Sequence, residues 1–215
     1  MTEYKKLDQQ YQAMLRPAKE RLLHRKAKDI AGKTGIEFDE KSSCFCFTSM
    51  GKPISVSYPE YNMNPIFNSW HHLVTLHYLD TADGTPFKSE LMSFSSLAGS
   101  GSRGLLFNRQ AEDIAGNFFG NKPAENVQKV CEELGAFFLK SNADLCAVFY
   151  YLPRYPVTLK LWFGDDEFKG SGRLLLDESA LHYLSVEDAV TVGAYILEAL
   201  VQRYNELFSY APNLE

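Results

Sequence analysis

Apolar residues recur along the chain with two different periods, and these periods predict the order of its elements. In the first thirty residues they recur at every third or fourth position, which predicts a helix that is interrupted near Pro17. The segment 44–58 instead alternates apolar and polar residues around a central glycine, a pattern typical of a β-hairpin. A helix is expected from about Pro65 to Thr81, followed by a strand over residues 90–95.

The second half of the chain repeats this succession of helices and strands. Helical spacing predicts helices over residues 109–119 and 124–140. The segment 145–163 is rich in aromatic and β-branched residues and contains a proline-bounded turn, so it predicts a second hairpin. Residues 172–176 add a third strand, which makes a meander.

A long last helix is predicted to begin at Ser185, whose hydroxyl can cap the helix while Asp188 completes a capping box. Two hairpin groups separated by helices predict an α+β fold with a mostly antiparallel sheet. The N-terminal helix, the central helices and the C-terminal helix are expected to cover that sheet. No linker divides the chain, so we expect one domain over residues 1–215, with residues 1–33 as an N-terminal helical segment packed on it.

Composition and charge narrow the function classes. The chain has 215 residues, 45% of them hydrophobic and 23% charged, which is typical of a globular protein. No apolar stretch approaches the roughly 18 to 20 residues of a membrane helix. Four cysteines without a dense framework and an N-terminus without a signal peptide predict a cytoplasmic protein. The net charge of -5 argues against nucleic acid as a partner.

The tetrapeptide Leu-His-Tyr-Leu occurs twice and contains two of the five histidines, His77 and His182. A helical wheel places His77 on the apolar face near Trp70 and directs His71 and His72 elsewhere, so these three cannot bind one metal ion. Two interpretations of His77 follow. It is either a core residue paired to a backbone carbonyl or to an aspartate such as Asp80, or a ligand or general base in a pocket.

His182 is predicted to lie in a short turn before the last helix. There it either packs as part of a hinge or, if the two tetrapeptides face one another across the core, forms a shared site with His77. Arg154 lies between Pro153 and Pro156, which restrict the backbone around it. Its guanidinium is either a contact for an anion or an ordinary exposed arginine.

Three further motifs are weaker. Cys44 and Cys46 fall on one face of a predicted strand, where packing is the simpler reading than metal binding, and we predict no metal site. The stretch 99–104 matches G-x-G-x-x-G, but a dinucleotide site needs an acidic residue on a strand end about 20 positions later, where a helix is predicted to begin instead. We expect a mobile loop that can bind an anion through its amides and Arg103. Residues 165–167 form an acidic turn.

The blocks 152–168 and 174–188 resemble an uncharacterised prokaryotic family, the domain of unknown function numbered 3786. The shared positions include Pro153, Trp162, Asp177, and the pair His182 and Tyr183. The resemblance implies no assigned activity. Family members are typical of anaerobes, and some are fused to a four-cysteine iron-sulfur module like that of corrinoid proteins, which this chain lacks.

Three hypotheses of function follow. The first is an accessory module of anaerobic metabolism that binds a small ligand or cofactor of unknown identity. Its candidate residues are Trp70, His77, His182, Tyr183 and Arg154. The second is an enzyme in which His77 or His182 is the general base on an anionic substrate held by an arginine. The third is a structural partner of a corrinoid or iron-sulfur redox complex, docked through the basic first helix.

Overall fold

The computed structural model describes the backbone of residues 3–209 and the side chains of residues 10–209. Its α-helices are α1 Glu3–Leu22, α2 Ala27–Thr34, α3 Ser69–Thr81, α4 Gly101–Asp113, α5 Ala124–Glu133 and α6 Val186–Phe208. Its strands are β1 Glu37–Asp39, β2 Cys44–Ser49, β3 Lys52–Ser57, β4 Met63–Asn64, β5 Leu91–Met92, β6 Phe137–Phe138, β7 Leu145–Leu152, β8 Tyr155–Trp162 and β9 Ser171–Asp177. The predicted α+β class is confirmed, with two antiparallel sheets.

The first sheet has the order β1-β2-β3-β4 and contains the first predicted hairpin. Met50 and Gly51 link β2 to β3, and both have positive φ angles, 45° and 75°. This conformation matches the right-handed twist of two antiparallel strands. Phe45 and Phe47 alternate with half-buried cysteines along β2, so one face of the strand enters the core.

The second sheet has the order β5-β9-β8-β7-β6 and contains the second predicted hairpin and the meander. Pro153 and Arg154 connect β7 and β8, whose last pair is Leu152 with Tyr155. The amide of Met50 donates to the carbonyl of Tyr150, which ties the first hairpin to strand β7 of the second sheet. The predicted strand over 90–95 is only two residues long, because a 3₁₀ turn begins at Phe94.

Helix α3 lies at the centre of the described fold and contacts α1, α2 and α6. Eight of its thirteen residues are buried. Asn68, rather than a residue near the predicted start at Pro65, caps it by accepting a hydrogen bond from the amide of His71 at 2.7 Å. Helix α6 contacts α3 and also α4, α5 and the 3₁₀ turn Phe94–Ser96.

Helix α5 ends at Glu133, well before the predicted end at residue 140. Gly135 adopts a φ of 75°, and the amide of Ala136 donates to the carbonyl of Cys131. The amide of Gly135 donates to Glu132, which completes a Schellman motif. The prediction over residues 124–140 was therefore wrong beyond this glycine, and β6 follows.

The glycine-rich stretch 99–104 is not a mobile loop. Helix α4 begins at Gly101 and continues through a π-helical turn, Ile114–Phe118, and a 3₁₀ turn, Phe119–Asn121. A Cβ atom at Gly104 would lie 2.4 Å from the carbonyl oxygen of Phe94, so glycine is needed here for close packing.

Among residues 3–209, no helix has both the length and the apolar character needed to cross a bilayer.

Candidate functional site

A pocket of about 520 Å³ opens between α3 and α6. Trp70 and His77 line it from α3, Asp188 and Tyr195 line it from α6, and Arg103 joins them from α4. Helix α6 also contributes the carboxylates of Glu187 and Glu198 to the lining. The indole of Trp70 is 38% exposed, so a large aromatic surface faces solvent where a ligand can reach it.

His77 and Asp188 form a hydrogen-bonded pair in the wall of this pocket. The Nδ1 atom of His77 lies 2.8 Å from Oδ1 of Asp188. The other carboxylate oxygen accepts a hydrogen bond from the Ser185 hydroxyl at 2.7 Å. An ionised carboxylate accepts only, so Nδ1 of His77 carries a proton, and in the neutral imidazole Nε2 then presents a lone pair. No hydrogen bond to Nε2 is formed within the described residues.

This arrangement corrects two expectations about the capping region. The Ser185 hydroxyl does accept from the amide of Asp188 at 3.2 Å, as the capping box predicts. The Asp188 carboxylate, however, turns to His77 and to the Ser185 hydroxyl. His77 is 20% exposed at its side chain, and its partner is Asp188 and not Asp80. Asp80 instead forms ion pairs with Arg21 and Arg25.

The wheel placed His77 in the middle of the apolar face and directed His71 and His72 elsewhere, but the buried histidines of α3 are His71 and His72. Both are buried, with 0% and 3% of their surface exposed. His72 is bonded at Nδ1 to the Tyr11 hydroxyl and at Nε2 to the carbonyl of Tyr61, both at 2.8 Å. The wheel assumed one apolar face, whereas α3 is enclosed by several helices. Burial lowers the pKa of His71 to about 4 and also lowers that of His72.

Three buried polar atoms have no hydrogen-bond partner within the described residues: Nδ1 of His71 and the hydroxyls of Tyr151 and Tyr155. The ring of His71 packs against Tyr151, with centroids 5.0 Å apart, and against Tyr195, with centroids 6.0 Å apart. Burial first, and then the charge of Asp188, raise the pKa of Tyr155. A polar interior therefore adjoins the Asp188 side of the pocket.

The other three candidates, His182, Tyr183 and Arg154, gather around the turn that follows α3. His182 is bonded through Nδ1 to Asp83 at 2.8 Å, and the Tyr183 hydroxyl donates to the carbonyl of Thr85. The Arg154 guanidinium donates to the carbonyl of Gly84 at 3.0 Å.

This turn cluster, defined as His182, Tyr183 and Arg154 with residues 83–85, lies apart from the α3–α6 pocket. None of its residues lines that pocket. His77 and His182 have different carboxylate partners, Asp188 and Asp83. Hydrogen bonds from Thr85 and, next, from His182 hold the pKa of the Asp83 carboxyl at about 2. The side chains of the turn cluster therefore form hydrogen bonds with one another and with the backbone of the turn.

The structure also locates the two cysteines of β2 and the acidic turn 165–167. Cys44 and Cys46 are free, half-buried thiols on the same face of β2. Asp165 accepts hydrogen bonds from the amides of Glu167 and Phe168, which closes the acidic turn. Within the described part of the chain, no group of three or more His, Cys, Asp or Glu side chains is arranged to bind a metal ion.

The family model described as a domain of unknown function (DUF3786) matches residues 26–199. The chain belongs to this family. The match includes the whole of α3 and the first part of α6, and hence His77 and Asp188. No curated protein and no solved structure matches the chain.

Sequence reasoning placed Trp70 and His77 in one pocket but missed Asp188, Tyr195 and Glu198. Asp188 was assigned to capping alone, although an aspartate in the first turn of a helix keeps one carboxylate oxygen for a second partner. Tyr195 and Glu198 had no distinguishing pattern, because they become neighbours of Trp70 only when α6 packs beside α3.

Proposed function

We propose that this DUF3786 protein binds a small organic ligand in the α3–α6 pocket. The observation that carries the proposal is the uncommitted Nε2 atom of His77, whose ring Asp188 fixes in one orientation beside the exposed face of Trp70. Pockets for small molecules combine a mostly apolar lining with a few oriented polar groups. Leu73, Val74 and Val190 supply the apolar part of this lining.

The proposal narrows the candidate residues to Trp70 and His77. His182, Tyr183 and Arg154 have partners of their own in the turn cluster, so we assign them a structural role. On the basic first helix Arg21 forms an internal ion pair with Asp80, and Arg25, which follows this helix, pairs with the same carboxylate. Docking of a corrinoid or iron-sulfur partner there stays a prediction to which these contacts lend no support.

A panel of small aromatic fragments, followed by protein-observed NMR, tests the proposal. We expect fragments that shift the Trp70 indole signal to lose at least tenfold in affinity in Trp70→Ala and in His77→Ala. His182→Ala is the matched control, because it removes a histidine outside the pocket, and its affinities should equal those of the wild type. Binding that survives both pocket substitutions, or a panel without a single pocket binder, would refute the proposal.

A second candidate function is general-base catalysis by His77. The carboxylate–imidazole hydrogen bond is the arrangement that holds a catalytic histidine in one tautomer and stabilises its protonated form. Nε2 could then take a proton from a bound ligand or from water.

A simple activated ester, p-nitrophenyl acetate, is a suitable probe of this base. A positioned base typically contributes about 10² to 10⁴ in rate, so His77→Ala and Asp188→Asn should both remove most of the hydrolysis above background. Equal rates in the wild type and in His77→Ala would count against catalysis on this substrate class and leave ligand binding as the function.

A further inference from the structure

The charges around the α3–α6 pocket favour one class of ligand. Arg103 is paired with Glu187, at 3.1 Å between Nε and Oε2, so these two charges cancel. Asp188 is shared between His77 and the Ser185 hydroxyl. Glu198 lies on the exposed side of α6, lines the pocket and forms no ion pair among the described residues. With His77 neutral, Asp188 and Glu198 therefore leave the pocket with two uncompensated negative charges.

The pocket groups that lack a partner are mainly acceptors. In the neutral imidazole of His77, Nε2 presents a lone pair because Asp188 holds the proton on Nδ1, and the Glu198 carboxylate has no donor in the described structure. Trp70 and Tyr195 also line the pocket, and an aromatic ring attracts a cation to its face through its quadrupole. The negative field of Glu198 also reaches Tyr195, where it adds to burial in raising the pKa of that phenol.

From this combination we infer that the pocket takes an organic amine cation, with its ammonium group between Glu198 and Nε2 of His77 and its apolar part against Trp70. An ammonium supplies donors to both acceptors and positive charge to the carboxylate and to the ring. A carboxylate of the same size would meet Glu198 and Asp188 without a free cation, because Arg103 is already paired. The inference rests on the proposed function and names the chemistry of its ligand.

Trp70 supplies a direct readout, because the chain has two tryptophans and the other, Trp162, lies on β8. In a Trp162→Phe background, the fluorescence of Trp70 can be titrated with benzylamine, benzyl alcohol and benzoate. These three probes share one ring and carry a positive, a neutral and a negative group near neutral pH. We expect affinity to fall in that order, with benzylamine at least tenfold tighter than benzoate.

Glu198→Gln removes the charge with little change in size, and it should reduce the preference for benzylamine over benzyl alcohol about fivefold. Glu167→Gln is the matched control, since Glu167 lies in the exposed β8–β9 turn and does not line the pocket. Raising the salt concentration should weaken benzylamine more than benzyl alcohol, because salt screens exposed charges.

The outcomes separate the two claims. If benzyl alcohol or benzoate binds as tightly as benzylamine, or if Glu198→Gln leaves the preference unchanged, the amine inference is wrong and ligand binding stands. If none of the probes changes Trp70 fluorescence and none shifts the His77 imidazole signals in NMR spectra, both the inference and the proposed function fail. A preference for benzylamine that depends on Glu198 supports both.

Discussion

Removal of one hydroxyl, in Tyr78→Phe, should destabilise the fold far more than its size suggests. Tyr78 is fully buried on α3, and its hydroxyl donates to the carbonyl of Thr34 at 2.6 Å. The same hydroxyl accepts from the amide of Arg154 at 3.0 Å. One oxygen atom thus joins the end of α2 and the β7–β8 turn to the central helix.

The magnitude follows from these two contacts. Each hydrogen bond contributes about 1 kcal/mol net, and a buried carbonyl left without a partner costs roughly a further 1–3 kcal/mol. Thr34 is fully buried, so water cannot readily replace the lost donor. We therefore expect the free energy of unfolding to fall by about 3–5 kcal/mol. For a chain of this length, each kcal/mol lowers the melting temperature by about 2–4 °C.

Urea denaturation followed by circular dichroism measures this change, and Tyr155→Phe is the control. Tyr155 is just as buried, but its hydroxyl has no partner among the described residues. Its removal should therefore cost less than about 1 kcal/mol, or even stabilise the protein. Equal losses in the two variants would refute the reasoning, because they would show that the hydrogen bonds of Tyr78 do not determine its contribution.

Three further predictions concern pH, backbone packing and the His77–Asp188 pair. The pKa of His71 is about 4 in the folded state and about 6.5 in the unfolded state. As pH falls, the unfolded state therefore binds a proton at His71 before the folded state does. About 3 kcal/mol of stability should be lost as pH falls from 6.5 to 4, and His71→Gln should flatten that slope in denaturant titrations. Gly135→Ala should lower the free energy of unfolding by about 2–4 kcal/mol, because φ is 75° and a Cβ atom would lie 2.4 Å from the backbone nitrogen of Gly51. Gly32→Ala, at a helical site with open space, should raise it by about 0.5–1 kcal/mol. Equal melting temperatures of the two variants would contradict this. Asp188→Asn should lower stability by about 1–2 kcal/mol and convert His77 to a mixture of tautomers in ¹⁵N NMR spectra, while an unchanged tautomer would show that the carboxylate does not orient the ring.

The sequence patterns predicted the elements whose signals are local. The hairpin around Met50 and Gly51, the meander of the second sheet and the start of α6 at Ser185 were all correct. Each depends on alternation, turn chemistry or a cap within a few residues. The end of α5 was also predictable in principle, because Gly135 is the residue type that ends helices in the left-handed conformation.

The environment of α3 could not be predicted in the same way. Its buried face was inferred from the residues of one helix, but His71 and His72 are buried by α1 and by residues of the first sheet, whose approach no local pattern encodes. The pairing of His77 with Asp188 joins residues 111 positions apart. The pocket therefore became visible only when the helices were placed together.

The most direct test of the central claim is a long-range ¹H–¹⁵N spectrum of the imidazoles during titration with benzylamine. The five histidines occupy different environments: His24 is exposed, His71 and His72 are buried, His77 lines the pocket, and His182 lies in the turn cluster. We predict a saturable shift at Nε2 of His77, with the signals of His24 and His182 unchanged. A saturable shift at His182, with that of His77 unmoved, would contradict the account.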